Sequence, residues 1–173
     1  MSTPTNIIVG LNAQSTLKAG AYGAAENLAT DLGFIKGGIS IEHEETAYEV
    51  KVDQCLGIID KITTAESLKI KFSMAEATLA NIALAFGYST SSTTLFEFGD
   101  KSSEVYKTLF INVKGPNGAT RKYTFWKCRP NAKTVQSYKR DSETLVEIEF
   151  DVLCDTSKAV NKRFGKIEDT SAA

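Results

Sequence analysis

Three stretches of this chain alternate apolar and polar residues with a period of two, and that rhythm limits what it can fold into. Tyr48, Val50 and Val52 alternate with Glu49, Lys51 and Asp53; Leu68, Ile70 and Phe72 alternate with Lys69, Lys71 and Ser73. Val146, Ile148, Phe150 and Val152 alternate in the same way with Glu147, Glu149 and Asp151. Each run reads as a strand with one buried and one wet face, the pattern of antiparallel sheets. Further strands are predicted over residues 34–41, with a bend at Gly37-Gly38, and over 58–62, 105–114 and 121–128. The last two are joined by KGPNGAT, a strong turn signal. Short, hairpin-like connections predict a mainly β (α+β) fold. We expect two packed antiparallel sheets, a sandwich or partly open barrel, flanked by one α-helix.

The helix follows the strand at Leu68 without a loop. After Ser73 the apolar residues fall at Ala75, Leu79, Ile82, Ala83 and Phe86, a helical spacing. Ser73 and Glu76 form an S-x-x-E capping box, and Gly87 stands where a left-handed C-cap belongs. The spacing therefore predicts a helix over residues 74–86, with Leu79, Ile82 and Phe86 facing the sheet.

At 173 residues the chain suits one domain that folds without a metal or disulfide. Residues 1–31 are expected to be an extended N-terminal segment, since 10–31 are rich in small residues and poor core material. Residues 32–154 hold the β core, and the polar stretch 155–173 reads as a flexible C-terminal tail. Formal net charge is −1, with 20 basic and 21 acidic residues, a balance that argues against gripping nucleic acid or an anionic membrane by bulk charge. No stretch has the pattern of a signal peptide, a membrane span or a membrane anchor, so folding in a cytoplasm is expected. Cys55, Cys128 and Cys154 show no metal or disulfide spacing and read as reduced thiols.

Chemistry is scarce. The one histidine, His43, sits in a run of glutamates at an expected hairpin tip, the wrong place for the dry pocket a general base needs. No nucleophile elbow or phosphate loop is present. Acidic residues alternate along strands and do not cluster at ligand spacing. The aromatic stretch RKYTFWKCR, residues 121–129, could stack bases, but core packing in a hairpin is the better reading. We expect no catalytic residue, no cofactor, no metal and no enzymatic activity.

The order of elements says more than any single residue. Gly33 to Ile41 form a G-x-x-x-GG-h-s-h strand, and a charged hairpin returns into V-D-Q at Val52, Asp53 and Gln54. T-x-E at Thr64 to Glu66 leads into h-x-E-A-T-L-x-N-h at Met74 to Ile82. In this order, over about residues 5–87, the chain resembles the tail tube proteins (major tail proteins) of tailed bacteriophages, relatives of the type VI secretion tube proteins. Gly57 departs from the family, where proline is common.

The resemblance implies a structural protein of the virion tail, assembled in the cytoplasm of a host bacterium. It implies hexameric rings stacked into a hollow tube that conducts DNA. Implied partners are other copies of the chain, tail terminator, tape-measure and baseplate or tip proteins, and a sheath where the tail contracts. The alternatives are a type VI secretion inner-tube protein and a monomeric β-barrel ligand-binding protein. A DNA conduit should avoid a basic wall. Two faces could supply an acidic one: Ser40, Glu42 and Glu44, or Glu147, Glu149 and Asp151. The second is expected to face the lumen and the Lys69-Lys71 face the outside. The charged hairpin, with Glu42, His43, Glu44, Glu45 and Thr46 at its tip, is expected to stack the rings.

Overall fold

The computed structural model describes residues 14–89, 92–101, 103–114, 119–131, 136, 138, 140 and 143–170. Its strands are β1 (Thr16–Ala21), β2 (Thr30–Asp31), β3 (Ile35–Lys51), β4 (Ile58–Met74), β5 (Lys107–Lys114), β6 (Thr120–Asn131), β7 (Val146–Val152) and β8 (Gly165–Thr170). The one α-helix among the described residues, α1, spans Leu79–Ala85. All strand pairs are antiparallel, in the order β2-β1-β5-β6-β7-β4-β3, with β8 on β6. The fold is mainly β with one helix, as the alternation predicts.

The two layers turn out to be wings of one sheet. β6 pairs β5 and β8 through its first half and β7 through Cys128–Asn131, so it passes from one wing to the other. A register shift in the β5–β6 ladder between Lys107 and Leu109 marks the bend. The wings close on one core. Leu17, Leu109, Ile111 and Phe125 come from the β1-β5-β6 side and Ile70, Phe72, Ile148 and Phe150 from the β7-β4 side. The Phe72 and Phe150 rings stack at 5.9 Å. Phe125 is buried here and Tyr123 packs against the core, as expected, while Trp126 is only partly buried and lies outside it.

Both ends of the chain depart from expectation. β1 belongs to the core despite its small residues: Leu17 is 1% exposed and Ala19 is buried beside it. At the other end, β8 adds to β6 with the exposed Arg121–Asp169 pair across the ladder, so 165–170 are strand and not loose tail.

The helix also starts later than its capping box predicts. Met74 is fully buried and pairs with both Ile35 and Val146, so β4 runs on through Ser73 and Met74. Thr78 caps α1 instead, its side chain accepting from the Asn81 amide at 3.2 Å. Glu76 turns away and accepts from the Phe34 amide at 3.4 Å. Its carboxyl fills the place where any Cβ on Gly33 would sit, 2.4 Å from the Glu76 Cδ, and Gly33 itself has φ +79. Asn81, buried, donates to the carbonyls of Leu32 and Glu76 and pins the helix start to the strand entrance. The C-cap is as predicted. Gly87 has φ +76, its amide reaches the Leu84 carbonyl, and the Tyr88 amide reaches Ala83, a Schellman arrangement. The buried face is Ala83, Leu84 and Ala85, while Leu79, Ile82 and Phe86 are only partly covered.

Candidate functional site

β3 and β4 are each 17 residues long and pair with each other almost throughout. Only their inner half belongs to the body, because β7 pairs with β4 from Leu68 to Met74 and no further. The outer half is a two-stranded arm that projects past the sheet. The hairpin expected between residues 41 and 50 therefore exists in a different form. Glu42, His43, Glu44, Glu45 and Thr46 lie in the middle of β3, opposite Lys69, Leu68, Ser67, Glu66 and Ala65. The tip is formed by residues 52–57, closed by the Cys55 amide on the Val52 carbonyl. What read as two strands, 58–62 and 68–72, is one. The bend predicted at Gly37-Gly38 is present as a register shift between Lys36 and Ile39, with both glycines at φ +83.

The arm has two unlike faces. Tyr48 stands opposite Ile62 and Val50 opposite Asp60. Tyr48 is 64% exposed and Ile62 53%, with Val52, Leu56 and Ile58 uncovered nearer the tip. The other face carries Glu49 between Lys61 at 3.0 Å and Lys51 at 3.2 Å, and these lysines hold its carboxyl below the usual glutamate range, Lys61 most strongly. At the waist Glu45 faces Glu66 directly, a destabilising like-charge pair beside the register shift at Thr46/Ala47. His43 Nδ1 lies 3.9 Å from Glu45, on the surface.

The strand register also rearranges the charged faces. Lys69 stands opposite Asp151 and Lys71 opposite Glu149, with Glu42 and Ser40 on the far side of the same rows. Residues directly opposite in an antiparallel pair share a face. So the two acidic faces distinguished in the sequence are one face, and Lys69 and Lys71 lie on it, not on the opposite wall. Glu149 sits 3.5 Å from Lys69 and 3.8 Å from Lys71, and Lys71 reaches Glu42 at 2.7 Å. The Glu42 carboxyl is lowered and the Lys71 ammonium raised, each chiefly by that hydrogen bond. Arg129, opposite Asp151, is held by Glu104 at 2.7 Å. The face is a compensated charge lattice and not an acidic band, with Glu147 at its exposed margin opposite Ser73.

Among the described residues no group of three or more His, Cys, Asp or Glu is placed to hold a metal ion, and no helix is long and apolar enough to cross a membrane. Cys128 is buried, its thiol pushed up by desolvation, whereas Cys55 at the arm tip and Cys154 after β7 are exposed. No family model matches the chain, and no curated protein matches it. Among solved structures, one chain in the cryo-EM structure of the anti-feeding prophage (AFP) baseplate, 6-fold symmetrised, is similar at a TM-score of 0.50 and 11% identity, covering 99% of both chains. A chain of the PVC sheath–tube complex in the extended state, from an extracellular contractile injection system, scores 0.48 at 13% identity, covering 98% of this chain and 99% of that one. The first likeness is one of fold; the second is too distant to support an inference.

Proposed function

We propose that this protein is the tube subunit of a phage-tail-like particle, forming hexameric rings that stack into a hollow conduit for DNA. The observation that carries the reading is the arm. A two-stranded ribbon with Tyr48, Val52, Leu56, Ile58 and Ile62 uncovered is a liability on a monomer and an asset in an assembly. Among the described residues the arm's strands pair only with each other there, so hydrogen-bonding edges stay open as well. Another copy of the chain covers both at once when subunits repeat head to tail. The fold shared with a chain of a sixfold-symmetrised injection-system baseplate supports the same reading. In it the arm, with Tyr48 and Ile62 rather than Glu42 to Thr46 at its working face, stacks one ring on the next. The Glu147-Glu149-Asp151 row, compensated by Lys69 and Lys71, offers passing DNA a wall of little net attraction.

Partners in this reading are further copies of the chain, terminator, tape-measure and baseplate or tip proteins, and a sheath in a contractile particle. A type VI secretion tube would use the same surfaces. The test is negative-stain microscopy of the concentrated purified protein with sedimentation velocity alongside. Rings or tubes of uniform diameter are expected; a monomer at every concentration overturns the proposal.

A further inference from the structure

Where β4 parts from β7, beyond the Leu68–Val152 pair, the two sides of the gap do not close. They leave an open cleft of about 720 Å³, walled by Thr63–Glu66 of β4, by Val152–Cys154 and by Val160–Gly165. One wall is a strand edge. β4 over Thr63–Glu66 pairs with β3 on its far side and with no strand on the cleft side among the described residues. Arg163 lines the cleft, and its buried Nε has no hydrogen-bond partner among the described residues, where buried N–H groups normally find one.

The chain carries a segment of matching chemistry. No charged residue precedes Lys18, and Asn6-Ile7-Ile8-Val9-Gly10-Leu11 is apolar and rich in β-branched residues. Such a run adds readily to an open edge. Its own cleft is badly placed for it. β1 and β6 both run antiparallel to β5, so β1 starts level with Lys122 and ends level with Cys128. The cleft opens at the Lys127 end, where the Leu153 amide bonds the Lys127 carbonyl. Thr16, where β1 begins, therefore lies at the end of β1 away from the cleft, with β5 and β6 in between.

We propose that the cleft is a strand-acceptor site, and that residues 6–11 of a neighbouring copy enter it as an added strand on β4. The inference rests on the self-assembly reading above and gives that assembly a second tie, independent of the arm. Main-chain bonds to Thr63–Glu66 provide affinity, and alternate side chains meet Val152, Val160 and Phe164.

Cys154 lines the cleft and is exposed, which makes the test direct. In full-length protein carrying Cys55→Ser and Ile8→Cys, oxidation of assembled samples by copper phenanthroline should give covalent multimers on non-reducing gels. Peptide mapping should find residue 8 bonded to Cys154, and Cys154→Ser in the same background should abolish the ladder. A bond confined to monomers, or regular tubes without the 8–154 bond, overturns the inference and leaves the tube reading intact. In protein retaining Cys55, a 55–154 bond would give the cleft to the arm tip and equally overturn it. A chain that stays monomeric throughout fails both proposals.

Discussion

Replacing Tyr48 and Ile62 together by threonine tests the arm most directly. The two are directly opposite on one face, and threonine keeps strand propensity while removing most of the apolar surface. Their exposures of 64% and 53% mean that roughly half of each side chain is already covered within the subunit. Full burial of a side chain of this size is worth roughly 1.5–3 kcal/mol, so covering the remaining half on assembly contributes about 1 kcal/mol each. The pair then contributes about 2 kcal/mol per subunit, and at about 1.4 kcal/mol per tenfold the critical concentration should rise about thirtyfold. Denaturant melts of the dilute, monomeric protein should show a loss of similar size or smaller, because the arm lies outside the core. Pelleting across a concentration series, with microscopy of the pellets, measures the shift. Tubes forming at an unchanged concentration would refute the reasoning and move the stacking surface elsewhere.

Three further outcomes follow from the fold and its charges. Leu84→Ala should cost about 2–5 kcal/mol in denaturant melts and Leu79→Ala much less, and Thr78→Ala should cost about 1 kcal/mol while Ser73→Ala loses no helix cap; the reverse order would restore the earlier helix start. Asp155, buried, accepts from the Ser157 hydroxyl at 2.7 Å, the Ser157 amide and the Tyr22 hydroxyl, and the Ser157 hydroxyl most of all holds its carboxyl below the usual aspartate range. A depressed folded-state value stabilises above the unfolded-state pKa and is lost as pH falls through the folded one. The melting-temperature gap between the natural protein and Asp155→Asn should thus be widest near neutrality and shrink below about pH 4. Glu149→Lys places a third ammonium beside Lys69 and Lys71 at a side chain only 16% exposed, so it should destabilise the subunit and recover partly with added salt in thermal melts.

The sequence was legible where one face of a strand is buried and the other wet. β7 satisfies that condition, and so does the inner half of β4, where Ile70 and Phe72 meet the core, while β5 and β6, with adjacent buried residues, are read from their apolar and aromatic runs instead. The outer arm does not. With both of its faces uncovered, burial imposes no contrast, so a single strand reads as two with a charged tip between them. β8 gives no signal for a related reason: it is held by backbone pairing and charges, and Ile167, its one large apolar residue, is exposed. At β1, alanine and glycine hide a buried position that only Leu17 marks. Ser73 and Glu76 satisfy the local rule for a helix start, yet Met74 gains two strand partners and full burial by staying in β4. Tertiary pairing outweighs a cap worth about 1 kcal/mol.

The charged face shows why a candidate site can be half visible. Glu147, Glu149 and Asp151 are correctly read as neighbours, because alternation along one strand fixes which side chains share its face. Whether that face is acidic depends on the strand beside it, and register across a sheet follows from the core. Ile148 meets Phe72 and Phe150 meets Ile70 in the buried layer, which forces Glu149 opposite Lys71 and Asp151 opposite Lys69 in the exposed one. A slip of β4 by one residue would bury Lys69 and Lys71 and expose Ile70 and Phe72. The compensation of the acidic row is therefore a by-product of packing that no single strand discloses. In the tube proposed above, reversing a charge on this face to change how the wall treats DNA would also loosen the β4–β7 ladder on which the projecting arm is anchored.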